Sequence, residues 1–188
     1  MIVGLVLAGG SGRRFGGVEK ALLRLGGRPL IAHVVARLAP QVGALAISGR
    51  GVLTPYVPGL PILDDGAFAG RGPLAGLLAG LEWAASIGAE AMLSMPVDTP
   101  FFPDDLASRL APAPSVAVCG GRVHHLVAVW PLAAAAAVRA RLAGGGGAVA
   151  LAGVGCREVG FAAAGDWFAN INTPEALAAA ERRLGGAV

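Results

Sequence analysis

Ile2-Val-Gly-Leu-Val-Leu7-Ala8-Gly9-Gly10-Ser11-Gly12-Arg13-Arg14-Phe15-Gly16-Gly17-Val18-Glu19-Lys20 is the stretch on which the fold turns. Ile2 to Leu7 is apolar, rich in branched side chains and without alternation, the pattern of a strand buried on both faces. Two glycines end it. Glycines after such a strand let the backbone turn tightly and aim N–H groups at phosphate oxygens. Arg13 and Arg14 add planar donor forks suited to those oxygens, and Lys20 adds a compact ammonium. The fifteen cationic side chains are fourteen Arg and this one Lys, so a lysine here marks a position that wants a point charge.

From this strand and loop the chain continues as strand and helix in alternation. Pro29 to Leu38 carries Leu30, Val34 and Leu38 on one face and reads as a helix with proline in its first turn. Ala44 to Ser48 and Leu60 to Leu63 read as strands. Leu74, Leu77, Leu78 and Leu81 recur at helical spacing after Gly72-Pro73. Ala91 to Val97 is a buried strand that ends at Asp98, and Pro103 to Leu110 a short helix. Val116 to Cys119 and Leu126 to Trp130 are strands, Leu132 to Leu142 is a helix stopped by glycines, and Arg157 to Phe161 a last strand. Thr173-Pro174-Glu175 caps a terminal helix. Repeated βα units predict an α/β fold, three layers around a mostly parallel sheet of Rossmann-like nucleotide-binding topology, in one domain over residues 1–188. Ligands of such sheets sit at the carboxyl ends of the strands, a rule that gathers the Gly9–Lys20 loop, Ser48, Asp65 and Asp98 on one rim.

Composition narrows the function. Net charge is +3 with a pI near 9.5, and five cations between Arg13 and Arg28 face one acid, Glu19. Three Trp, one Tyr and six Phe are scattered without basic–aromatic interleaving, which argues against nucleic acid and for a small anionic ligand. Mean hydropathy is high at +0.65, but no apolar run reaches the roughly 18 residues of a membrane span. No cationic segment precedes the apolar start, so a cytoplasmic protein is expected. Cys119 and Cys156 read as buried thiols rather than a disulfide or metal pair. His124 and His125 are adjacent on a strand and face opposite sides, a poor pair for zinc.

Several residues carry the pattern of a nucleotide site. Asp98, leaving a buried strand into the proline-rich turn Thr99-Pro-Phe-Phe-Pro103, is placed to offer Mg²⁺ a hard oxygen ligand. A Walker A loop is excluded, because no Gly-Lys pair exists, and a dinucleotide fingerprint fails at Phe15. What fits is L-A-G-G-x-x-x-R-x-G followed by Lys, which resembles the signature loop of nucleotidyltransferases, and most closely that of the molybdenum cofactor guanylyltransferases (MobA family). Three further segments resemble that family in order: Gly72-Pro-Leu-Ala-Gly76, Met92 to Pro103 with its D-T-P, and Asn170-Ile-Asn172-Thr-Pro-Glu175.

The resemblance implies a nucleotide-diphospho-sugar transferase-like fold and transfer of GMP from GTP to the phosphate of molybdopterin, with Mg²⁺ as cofactor. It implies catalytic roles for Arg14, Lys20 and Asp98, with Asp98 as the metal ligand. The nucleotide would be bound by Leu7, Ala8, Gly9, Gly10, Ser11, Gly12, Lys20, Ser48, Asp65 and Asp98. The acceptor would be bound by Gly17, Gly72, Gly76, Asn170 and Asn172. Ser48 stands where many relatives carry Asn, and His124 where relatives often have a His before a strand. Relatives that use CTP tend to read L-A-A-G, so Gly9 favours GTP. The resemblance implies GTP and molybdopterin as partners, with apo-molybdoenzymes or cofactor-handling proteins beside them, and neither nucleic acid nor membrane. Two alternatives stay open: a related nucleotidyltransferase using CTP or another phosphorylated acceptor, and a nucleotide-binding regulatory protein without turnover.

Overall fold

The structure is a computed structural model and describes residues 1–9, 11–12, 18–145, 155–163 and 167–186. Its first strand, β1 (Ile2–Leu7), is followed by two small hairpins, β2 (Ser11–Gly12) with β3 (Val18–Glu19) and β4 (Arg24–Leu25) with β5 (Arg28–Pro29). Helix α1 (Leu30–Leu38) precedes β6 (Leu45–Ser48) and β7 (Ile62–Leu63). Next come α2 (Pro73–Ser86), β8 (Ala91–Pro96), α3 (Leu106–Leu110), β9 (Ser115–Cys119) and β10 (Arg122–Pro131). The chain closes through α4 (Ala134–Ala143), β11 (Arg157–Phe161) and α5 (Pro174–Gly185).

Seven strands form one sheet in the order β11-β9-β10-β8-β1-β6-β7. All neighbours pair in parallel except β10, which runs antiparallel to both β8 and β9. The reversal has a local cause. Gly120 and Gly121 both take positive φ (58° and 75°), so a two-residue turn folds β10 straight back on β9. The strand expected at Leu126 to Trp130 is also longer, beginning at Arg122, because its hairpin with β9 extends past the apolar core. Pro29 caps α1 instead of opening it, and Pro103 lies in the turn before α3.

Side chains alternate across β1. Val3, Leu5 and Leu7 pack with Leu74, Leu77, Leu81, Trp130 and Leu142 on the α2–α4 face. Val6 packs with Val34, Leu38, Leu93, Leu110 and Phe161 on the face covered by α1, α3 and α5. Two glycines let α2 lie close on the sheet. A Cβ at Gly80 would come 2.3 Å from Leu5 Cδ2, and one at Gly76 would come 2.0 Å from Ser48 Oγ. Both distances are far inside contact, so a side chain at either position would force its neighbours to shift.

Register then sets the rim. Leu7 lies beside Ser48 on one side and Pro96 on the other, and Ser48 lies beside Leu63. Asp98 and Asp65 each follow two residues past a strand end, so both emerge on the same carboxyl rim. With strands spaced about 4.8 Å apart, Ser48 and Pro96 sit about 10 Å apart across the sheet.

Candidate active site

Lys20 leaves the β2–β3 hairpin in a short 3₁₀ turn, Lys20–Leu22, anchored by the fully buried Ala21. Its ammonium donates to Asp98 Oδ2 at 2.6 Å and also to Asn172 Oδ1. The lysine and aspartate side chains are only 18% and 14% exposed, so the pair is shielded from water. Asp98 is held on other sides too. Thr99 Oγ1 donates to Oδ1 at 3.1 Å, Asn170 Nδ2 approaches Oδ2 at 3.5 Å, and Ile171 N donates to the Asp98 carbonyl at 2.8 Å. Segments 78 and 152 residues away from Lys20 in sequence thus meet at one ammonium.

The asparagine segment is fixed from behind. Phe168, fully buried, is a non-glycine residue in the left-handed region (φ 66°). Its N–H donates to Phe101 O at 3.0 Å and its ring packs edge-on against Phe161 at 5.1 Å between centroids. Strain of this kind persists where packing over-determines a conformation, often beside a site. The sequence gives no direct signal for it. His124 packs its ring on Phe168 at 5.1 Å, and burial, followed by Arg122 and His125, lowers its pKa below the ordinary histidine value. Through Phe168 it supports the asparagine segment by packing.

Next to this cluster, across β1, a cleft of about 630 Å³ opens over the ends of β1, β6 and β7. Leu7, Gly9, Ser48, Arg50, Asp65 and Gly76 are among its lining. The adjacent acids divide their work: Asp64 Oδ1 accepts the Gly66 N–H at 2.7 Å as a turn residue, while Asp65 Oδ1 accepts from Ser48 Oγ at 3.3 Å. Burial raises the Asp65 pKa, and neighbouring Asp64 adds to this, against the lowering effect of the Ser48 hydrogen bond. A carboxylate kept in such a place at an energetic cost is one that a ligand can use.

The structure therefore brings together Lys20, Asp98, Asn170 and Asn172 at one point, and Leu7, Gly9, Ser48 and Asp65 in the adjoining cleft. Ala8 is buried, with its N–H donating to Ser48 O at 2.8 Å. Gly72 and Gly76, expected with the acceptor, line the same cleft as Ser48 and Asp65, because α2 begins over β6 and β7. Ser11 and Gly12 are described as backbone in β2. Gly10, Arg14 and Gly17 lie outside the described residues. Sequence reasoning missed the ion pair between Arg50 Nη2 and Glu19 Oε2, which joins the two halves of the site. Cys119 is a buried free thiol as expected, but Cys156 is partly exposed. Among the described residues no group of three His, Cys, Asp or Glu could cage a metal by itself, and no helix is long and apolar enough to cross a membrane.

Comparison with known proteins gives the family and the fold. A molybdenum cofactor guanylyltransferase of Acidiphilium cryptum is 52% identical over 182 residues, 94% of this chain and 92% of that protein. One from Rhodobacter capsulatus is 50% identical over 185 residues, covering 97% of this chain and 96% of its own. The solved structure of molybdopterin-guanine dinucleotide biosynthesis protein A from Archaeoglobus fulgidus shares the fold, with a TM-score of 0.76 at 22% identity over 99% of this chain and 100% of that one. Residues 4–158 match the MobA-like NTP transferase domain, and with relatives this similar over almost its whole length the chain belongs to that family.

Proposed function

We propose that this chain transfers GMP from GTP to the terminal phosphate of molybdopterin, forming molybdopterin guanine dinucleotide and releasing pyrophosphate. The observation that carries the reading is the convergence of Lys20, Asp98, Asn170 and Asn172 beside the Ser48–Asp65 cleft. Guanine fits the cleft chemically. With one Asp65 oxygen engaged by Ser48, the other is left to accept from the ring N–H and amino group of the base or from ribose hydroxyls. Gly9 offers open backbone at the same wall, since a Cβ there would meet nothing within 4 Å.

The triphosphate extends from this cleft across the end of β1 toward Lys20. An oxygen of the acceptor phosphate attacks the α-phosphorus, the bond from that phosphorus to the bridging oxygen breaks, and its electron pair leaves with pyrophosphate. Lys20 and Arg14 stabilise the charge that shifts onto these oxygens. Asn170 and Asn172 present amides to the acceptor side. The residues present suit Mg²⁺, which is ordinarily held by one or two carboxylates together with substrate phosphates and waters; Asp98 is such a carboxylate. Bound there, the ion would supply charge neutralisation for the phosphates and the departing pyrophosphate.

The test is to incubate the protein with Mg²⁺ and each nucleoside triphosphate, with and without molybdopterin, and to follow pyrophosphate. Release requiring both GTP and molybdopterin is expected. Equal release with CTP would move the base assignment, and release that ignores the acceptor would remove the transfer reaction.

A further inference from the structure

Glu19 and Arg50 come from two segments beside the site, 31 residues apart in sequence. Glu19 ends β3, pairs with Ser11 in the hairpin and immediately precedes Lys20. Arg50 follows β6 and Gly49 and lies along the cleft with Ser48 and Asp65. Their ion pair is uneven in exposure, 10% for the glutamate side chain against 75% for the arginine. An ordinary surface pair has both members in water and contributes little. Here the acid is shielded and paired with Arg50.

The two ends also differ in how firmly the backbone holds them. Around Arg50, Gly49 N donates to Leu63 O at 3.2 Å and Leu53 N donates to Arg50 O at 3.0 Å, while a Cβ on Gly49 would press on Leu53 at 2.9 Å. Arg50 thus stands on a tightly packed strand end. The β2–β3 hairpin has only two residues per strand, and a hairpin that short has little stability of its own. Ala21 anchors Lys20 on one side. On the other side the side-chain tether is the Glu19 carboxylate.

We infer that the Glu19–Arg50 ion pair is a positioning device for Lys20: Arg50, fixed to the strand end, holds Glu19 and thereby sets where the neighbouring ammonium meets the phosphates. Arg50 acts through Glu19 and not as a phosphate ligand in its own right. The inference rests on the function proposed above for the meaning of Lys20, but the placement of Lys20 can be read without turnover.

Because Lys20 is the single lysine of the chain, protein made with [6-¹³C]lysine gives one side-chain Cε signal. Arg50→Ala and Glu19→Gln should both move that signal toward the value of free lysine, and the double variant Glu19→Arg/Arg50→Glu should bring it back toward wild type. Thermal unfolding reports that each variant is folded. In the transfer assay each single variant should lose roughly ten- to a hundredfold in kcat, the scale of a displaced catalytic group. KM for GTP should stay within about threefold, the split expected when ground-state binding is untouched. A Cε signal that stays put in the single variants, or fails to return in the swap, overturns the inference. So does a raised KM with unchanged kcat in Arg50→Ala, which would make Arg50 a direct ligand. If wild type shows no guanylyl transfer, the proposed function fails and the Cε signal alone decides the positioning role.

Discussion

Gly76→Ala perturbs the site through packing alone. A Cβ at this position would lie 2.0 Å from Ser48 Oγ, 2.9 Å from Ser48 Cβ and 3.2 Å from Leu7 Cδ2. Contacts this close cannot persist, so either Ser48 turns away or the first turn of α2 lifts from the sheet. Over-packing of a well-filled site costs about 1–3 kcal/mol. Alanine is the better helix former by about 0.5–1 kcal/mol, which offsets part of that. A net destabilisation of about 1–2 kcal/mol is expected, read by urea unfolding. The functional loss has a separate origin: displacing Ser48 breaks its hydrogen bond to Asp65. A bond worth about 0.5–1.5 kcal/mol corresponds to a roughly two- to tenfold weaker GTP affinity by calorimetry. Adding Ser48→Ala removes the 2.0 Å clash while the hydrogen bond stays absent. The 2.9 Å contact with the residue-48 Cβ remains, so the double variant should regain part of the stability and none of the affinity. Gly76→Ala with undiminished stability and unchanged GTP affinity would refute the argument that α2 packs on Ser48 to orient Asp65.

Lys20→Ala should reduce transfer on the order of 10²–10³-fold, the usual cost of one preorganised donor, and should also lower thermal stability, because it leaves the shielded Asp98 carboxylate without its cation; Lys20→Arg, a wider planar fork, should recover only part of the rate in the same assay. Asp98→Ala should abolish turnover with the far-ultraviolet dichroism intact, since the residue sits at a strand end and not in the core. For Asp65 the sign follows from its raised pKa: the folded chain holds that proton more tightly than the unfolded chain, so the ionised carboxylate penalises folding above the raised pKa, and the penalty fades as pH falls through it. Asp65→Asn should therefore gain stability at neutral pH, shrinking to nothing in acid, while losing GTP affinity; a variant less stable than wild type at pH 7 would contradict this.

Much of the architecture was legible because hydrophobic patterning alone sets it. The unbroken apolar runs of β1 and β8 and the leucine stripe of α2 each lead to one structure. Thr173-Pro174 likewise marks α5, where the threonine hydroxyl accepts the Ala176 N–H at 3.2 Å. Other features depend on tertiary context. The direction of β10 turns on the φ angles of Gly120 and Gly121, and the length of β10 on a hairpin rather than on a core-facing pattern. Gly72 and Gly76 carry a recognisable motif, but their grouping with Ser48 and Asp65 follows from where α2 crosses the sheet. In the site, Lys20, Asp98, Asn170 and Asn172 were each visible as chemistry at the end of an element. That Asp98 and Asn172 meet at the Lys20 ammonium, with Asn170 against Asp98, is a consequence of strand order. The Glu19–Arg50 pair had no signal at all, because nothing in local sequence distinguishes a tethering acid from a solvated one.

The fate of the labelled phosphates of GTP tests the central claim most directly. With Mg²⁺ and molybdopterin present, label at the α-phosphate of GTP should pass into the pterin product, while label at the γ-phosphate should appear only in pyrophosphate. Neither transfer should occur with Asp98→Ala. Label from the γ-position in the acceptor, or α-label released as free GMP whether or not molybdopterin is present, would contradict guanylyl transfer at this site.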